Sequence, residues 1–372
     1  MDKHHVNHVL STISGFLTDL RIGWKSVQLT DVLQILYAGI ASGNISLHHL
    51  DGLGRLPTTL NLWGCSRKMA CSDTHLKRFF ETYIGGLEEL PYRILEMPEF
   101  QSQRSFPRLL ILDGTDQSRL KFSVGTLYAG IPVPIDVILQ DHQGLEMESS
   151  LKVLETMKKH SDYFDIAIGD GYYFGEPFMQ ALINQGKDVM VKTREQTLTL
   201  VQDLESAYAM DKLDHFWDQS RYHKGFDLNR GCRYEIYHLS DQQYRKLTRK
   251  LQCYRIEEYF PKQERVETYY VFTTSTRLTL NQVRECSKER WQIEDNVFRL
   301  GSQNGKTKLF RFKNPEIARK HLFLFYCLMA VFWALYKTFR EKHPKLKHQL
   351  TFKLFIIQLS NERILVFDQD GS

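Results

Sequence analysis

IAIGDGYYFGEPFMQALINQGKDVMVKT, residues 166–193, decides how the chain reads. A short apolar run ends on Asp170, and Gly171 follows at once. EPFMQALINQG then places apolar residues at helical spacing, and Gly186 closes it as a left-handed cap would. KDVMVKT returns to a strand pattern. Upstream, RLLILDGT, SRLKFSVGTLY and PIDVILQ read as three strands with Gly and Pro between them, an antiparallel meander. MESSLKVLETMKKH, with serines near its start, reads as a helix. The order β-β-β-α-β-α-β predicts an α/β fold, a mixed sheet flanked by helices.

Two acids stand at matching places in this order. Asp113 ends the first strand and Asp170 the fourth, each behind an apolar run and before a glycine. Strand ends in such sheets form the crevice where ligands bind. If the first and fourth strands lie side by side, two carboxylates face each other, a costly arrangement that a divalent cation relieves. Mg²⁺ prefers a few carboxylates together with phosphate oxygens. Asp before Gly is equally the chemistry of a simple turn. A third acid comes from ERWQIEDNVFRL, where Arg290 and Glu294 are spaced i, i+4 and share a helix face. Trp291, Ile293, Val297, Phe298 and Leu300 are expected to anchor this segment to the sheet. Asp295 is the rival acid, about 100° away around the helix.

The rest of the chain divides by pattern. Residues 1–100 read mostly helical, with Thr30-Asp31 and Ser72-Asp73 as expected caps. Residues 101–195 hold the strands and helices above, and 196–275 read as a β-rich insertion, rich in tyrosine and β-branched residues. Residues 276–343 turn helical again, and 344–372 form a tail. LFLFYCLMAVFWALY, at 322–336, falls short of the roughly 20 residues that span a bilayer, so a buried core helix is the expectation and no membrane partner. Cys65, Cys71, Cys232, Cys253, Cys286 and Cys327 include no CxxC pair, which speaks against zinc and a disulfide framework and for a reduced, cytoplasmic setting. The histidines lack ligand spacing with acids or cysteines.

LDGT, then GDGYYFGEPFMQALINQGKDVMVKT, then RWQIEDNVF resemble the DDE transposases of bacterial insertion sequences, in particular the group named after insertion sequence four. The resemblance implies an RNase H-like catalytic core with a β-rich insertion before its last helix. It implies Asp113, Asp170 and Glu294 as the catalytic and metal-holding acids, with Mg²⁺ as cofactor and Mn²⁺ as substitute. It also implies DNA as partner, both element ends and target, bound by a homodimer in the bacterial cytoplasm at the nucleoid. The group carries a Tyr, an Arg three residues on, the Glu, and a Lys two turns later. Arg290 and Glu294 match, but the Tyr position falls on Ser287 and the Lys position on Gly301 or Ser302.

Charge placement points the same way. The formal net charge is +5, and residues 286–320 alone hold nine Lys/Arg against four Asp/Glu. Lys306, Lys308, Arg311 and Lys313 interleave with Phe310 and Phe312, a stretch suited to tracking a phosphate backbone. Lys337, Arg340, Lys342, Lys345 and Lys347 form a second run, readable equally as a solvated helix end. Arg290 and Lys192 are further phosphate-binding candidates. Trp217, Tyr222 and Phe226 either hold a flipped base, as in relatives, or pack the insertion's own core. Residues 1–100 are expected to bind ends or pair subunits. Three functional readings follow: an active transposase, a DNA-binding remnant that has lost catalysis, or another RNase H-like nuclease.

Overall fold

The computed structural model describes residues 3–21, 27–55, 72–101, 107–117, 120–128, 130–140, 145–173, 175–213, 222–305, 314–343 and 351–360. Its strands, in chain order, are β1 (Thr18–Asp19), β2 (Ile84–Gly85), β3 (Leu109–Gln117), β4 (Leu120–Tyr128), β5 (Pro132–Gln140), β6 (Ile166–Asp170), β7 (Asp188–Thr193), β8 (Tyr222–Asp227), β9 (Cys232–Gln242), β10 (Leu251–Phe260) and β11 (Arg265–Thr273). The chain divides into two compact units.

One unit comprises residues 105–113 and 144–293. Its sheet runs β3-β6-β7-β11-β10-β9-β8. β3, β6 and β7 are parallel, and every later pair is antiparallel. Helices Glu146–Thr156, Glu176–Asn184, Thr199–Leu213 and Leu280–Glu289 flank it. This is the predicted mixed α/β, RNase H-like sheet with its β-rich insertion. Pro177 stands in the first turn of the helix Glu176–Asn184, and Gly186 at φ +73° closes it, as the sequence indicated for the glycine. The strands of the parallel part are buried on both faces, which is why they read as continuous apolar runs.

The helix Thr199–Leu213 lies inside the stretch expected to be β-rich, and its periodicity gave no signal. It meets the sheet largely through polar groups. Arg255 Nε donates to Glu205 Oε1 at 2.8 Å, Tyr270 Oη donates to the same oxygen at 2.7 Å, and the Tyr237 hydroxyl donates to Asp211. Val201 and Leu204 are its fully buried apolar residues. A helix that docks by ion pairs leaves little apolar stripe to read.

The other unit comprises residues 1–104, 114–143 and 294–372. Helices Lys3–Phe16, Leu29–Ser42 and Leu47–Arg55 open it, as the helical reading of residues 1–100 predicted. The cap of Leu29–Ser42 is a correction. Gln28 caps it through a capping box with Asp31, while Thr30 bonds sideways to Ser14 at 3.2 Å. Ser72 does cap the helix Asp73–Arg78, accepting from the His75 N–H. β4 and β5 form an antiparallel pair, and the helix Pro315–Lys342 lies on β5.

That helix contains the apolar run at 322–336 and extends beyond it on both sides. By length and composition it could cross a bilayer, but 78% of its most apolar window is buried within the protein. Tyr37 meets Phe332 at 4.5 Å between ring centroids and donates its hydroxyl to the Ile356 carbonyl. His321, fully buried, stacks on Phe80 at 4.6 Å, and burial pushes its pKa down to about 3. The run is a core helix, as the sequence reading held.

Candidate active site

The first two acids lie on adjacent parallel strands, β3 and β6. Leu109 pairs with Ile166, Leu110 with Ala167 and Ile111 with Ile168. The pairing runs as far as Ile111 and Ile168, and Asp113 and Asp170 each lie two residues beyond it. On the other side of β6, Asp170 pairs with Lys192 of β7. β6 ends on Asp170, whereas β3 runs on past Asp113 to Gln117 and β7 one residue past Lys192 to Thr193, so Asp113 does not end its strand as the sequence suggested.

Each of the three has a defined setting. The Asp113 side chain is largely buried, and Arg290 Nη1 lies 3.0 Å from its Oδ2. Asp170 is half-buried, and its Oδ1 accepts from the Tyr172 N–H at 2.9 Å. That bond is the turn chemistry an Asp-Gly pair offers, and it engages one oxygen of the carboxylate. The glycines around Asp170 answer to packing. A Cβ on Gly169 would meet the Tyr173 ring at 2.5 Å, and one on Gly171 would meet Thr193 Oγ1 at 2.7 Å.

Lys192 lies with its Nζ 4.0 Å from the centroid of the Tyr269 ring and 5.6 Å from that of Trp291. Burial pushes its pKa down to about 7, against the pull of Glu258. It opens onto a cavity of about 350 Å³. Arg194, Arg230, Arg265 and Lys288 line this cavity with it, against Glu258 and Glu267. Trp291 is 43% exposed at the cavity, so it is not the sheet anchor the sequence suggested. Ile293, Val297 and Phe298 are buried, as expected of anchors.

Behind the cavity lies an ion network that the sequence reading missed. Glu258 is fully buried, and Arg284 Nε reaches its Oε1 at 2.8 Å. Arg284 Nη2 also reaches Asp227 Oδ2 at 3.0 Å, and its guanidinium sits 3.9 Å over the Tyr234 ring. Arg230 pairs with Glu258, and Lys288 with Asp227 at 2.8 Å. Burial works to raise the Asp227 carboxyl, yet Lys288, the Arg230 N–H and Arg284 together hold it below its usual range. The network ties the helix Leu280–Glu289 to β8 and β10, and Arg290 follows directly on that helix. One signal was present in the sequence: Glu258 stands two residues from Ile256, on the same inward-turning face of its strand.

Glu294 belongs to the other unit, where it starts a π-helical run, Glu294–Arg299. Such π turns often mark functional sites. Arg290, in the same unit as Asp113, pairs with it. Among the described residues, no group of three or more His, Cys, Asp or Glu side chains is placed to hold a metal ion. The Asp295 side chain and Lys306, Lys308, Arg311, Lys313, Lys345, Lys347 and Trp217 lie outside what the structure describes.

The positions that depart from the group's pattern have structural reasons. Ser287 is fully buried and donates to the Arg284 carbonyl at 2.8 Å. Gly301 faces Tyr326, whose ring carbon would lie 2.6 Å from an added Cβ. Ser302 donates to the Arg299 carbonyl. Of the insertion's aromatics, Phe226 is 53% exposed, while burial pushes the Tyr222 hydroxyl up to about 12.

A sheet of RNase H-like order carries Asp113 and Asp170 on adjacent strands, and Lys192, paired with Asp170, opens onto a cationic cavity. The chain matches the family model of the transposase DDE domain over residues 129–332, more than half its length, and it belongs to that family. Asp170 and Glu294 fall within the matched stretch, and Asp113 precedes it. A search among curated proteins finds no match. The protein is a transposase-type enzyme of DNA cleavage and transposition.

Proposed function

We propose that the chain cuts DNA at the ends of an insertion sequence of the insertion-sequence-four group and joins those ends to target DNA, using Asp113, Asp170 and Glu294 with Mg²⁺ or Mn²⁺. The observation that supports this reading is that Asp113, Asp170 and Lys192 lie on adjacent parallel strands, with Asp170 paired to Lys192 and Asp113 two residues past the last β3–β6 pair. The donor set suits a hard divalent cation, since carboxylate oxygens stand at a strand end where phosphate oxygens can complete the shell. The Arg290 guanidinium already places a positive charge against Asp113. When bound, such an ion activates a water or a 3′-hydroxyl and steadies the leaving oxygen.

The chain's own side chains do the rest. Arg290 holds Asp113 in place and, on release, offers a fork that fits a phosphate. Lys192 and its neighbours in the cationic cavity draw the DNA backbone to the strand ends. Lys306, Lys308, Arg311 and Lys313 would extend that contact. A homodimer acting on two ends, in the cytoplasm of a bacterium, fits this activity. The described cysteines are all unpaired thiols, as a reducing compartment keeps them.

The test is Mg²⁺- or Mn²⁺-dependent cleavage of DNA carrying the flanking ends of the encoding element. Wild type should cleave, and Asp113→Asn, Asp170→Asn and Glu294→Gln should each lose cleavage with folding intact. Survival of cleavage in Glu294→Gln but not Asp295→Asn would move the third acid to Asp295. Ser287 and Gly301 favour a second reading, a DNA-binding remnant. Salt-sensitive DNA binding without nicking under either metal would establish it.

A further inference from the structure

A second cationic cavity, of about 420 Å³, opens at the other end of β7, within the same unit as Asp113 and Asp170. Asp188 opens that strand and is buried. Its Oδ1 accepts from Arg249 Nη1 at 3.0 Å and from Thr274 Oγ1 at 3.2 Å, and its Oδ2 from Arg277 Nη2 at 3.1 Å. One carboxylate at the back thus aims two guanidiniums from different loops at one cavity. Lys250 adds a third cation, and Asp241 a second carboxylate held by the Gln252 amide.

The loop that carries Arg249 and Lys250 is fixed in advance. Asp241 and Arg245 both sit in the left-handed region, at φ 59° and 48°, a conformation that persists only where surroundings impose it. Gln243 Nε2 bonds the Leu247 carbonyl, and Gln180 Oε1 accepts from the Thr248 N–H. A preorganised pair of arginines loses little freedom on binding an oxyanion, and its planar forks match phosphate oxygens.

We propose that this cavity binds a phosphodiester of a DNA strand, gripping a stretch of backbone apart from the one at the acids. Three cations against two carboxylates leave room for about one further negative charge, which a diester carries and a free phosphate exceeds. Asp188 lies four residues before Lys192, so the cavity stands about 13 Å along the strand from the level of Asp170. The choice of DNA rests on the function proposed above, whereas the anion chemistry does not.

The experiment measures binding of a fluorescein-labelled duplex, unrelated to any element end, in EDTA, by anisotropy over a salt series. Lys250→Glu and Arg277→Gln are compared with wild type and the distant surface variant Lys262→Glu. Asp188 keeps Arg249 and Thr274 in both test variants, and a melting curve checks that each folds. Affinity at 100 mM salt should fall about tenfold in each, and the log–log salt slope by about one. Lys262→Glu should keep the wild-type slope. A second arm follows thermal stabilisation by inorganic phosphate. If phosphate stabilises wild type but not the variants while duplex binding is unchanged, the assignment to DNA is overturned in favour of a small phosphate ligand. Wild-type behaviour of both variants in both arms overturns the site. Loss of cleavage activity alone touches neither arm, so failure of the catalytic reading is told apart from failure of this one.

Discussion

Replacing Arg284 by Met tests whether the buried ion network holds the active-site segment. The side chain is 2% exposed, and its partner Glu258 is 1% exposed. Breaking such a pair from one side costs about 3–5 kcal/mol, because an uncompensated charge stays buried. Arg230 still pairs with Glu258, and Lys288 lies 3.9 Å away, so the lower end, about 3 kcal/mol, applies here. For a unit of roughly 160 residues, each kcal/mol moves the melting point by about 2–4 °C, giving a drop of about 6–12 °C.

The assay is calorimetric melting, read beside DNA cleavage well below the transition. Because the helix Leu280–Glu289 leads directly to Arg290, the variant should also lose cleavage at temperatures where it is folded. The double variant Arg284→Met/Glu258→Met should recover at least half the lost stability, since apolar replacement of both partners removes the buried charge. A melting point within 2 °C of wild type for the single variant, or no recovery in the double, would refute the reasoning.

Other expectations are simpler. Asp165 is held below its usual range first by the Arg108 side chain, so its contribution is present above about pH 4 and fades as pH falls through its lowered pKa. Asp165→Asn should therefore cost about 1–2 kcal/mol at pH 7, and the gap to wild type should close below pH 4 in urea titrations. A widening gap on acidification would contradict the pairing. Gly301→Lys, which restores the family's residue type, should destabilise by about 1–3 kcal/mol through overpacking against Tyr326, while Ser302→Lys should be near neutral. Equal melting points for the two would show that Tyr326 yields at no cost. Lys192→Ala, assayed at pH 6 where the ammonium is charged, should lower the salt slope of DNA binding by about one. An unchanged slope would take Lys192 out of the DNA contact.

Much of the fold was legible in the residues alone. Strands β3 to β7 and the helices between them are local patterns of period 2 or 3.6, closed by Gly and Pro, and local patterns survive folding. The helix Thr199–Leu213 was not legible, because it docks by Glu205 and Asp211 instead of an apolar face. At the site, the strand order sufficed to suspect Asp113 and Asp170 as neighbours, since each follows a buried apolar run on one of two adjacent parallel strands. Only tertiary structure showed that Arg290 pairs with Asp113, that Lys192 stands beside Asp170, and that Trp291 faces a cavity. Those pairings join residues up to 177 positions apart, and no spacing along the chain encodes them. Charges are legible as a count in the sequence, but their partners are set by packing. That is why the sequence announced a basic protein, and only the fold revealed Arg284 as its buried tie and Arg249 with Arg277 as a clamp.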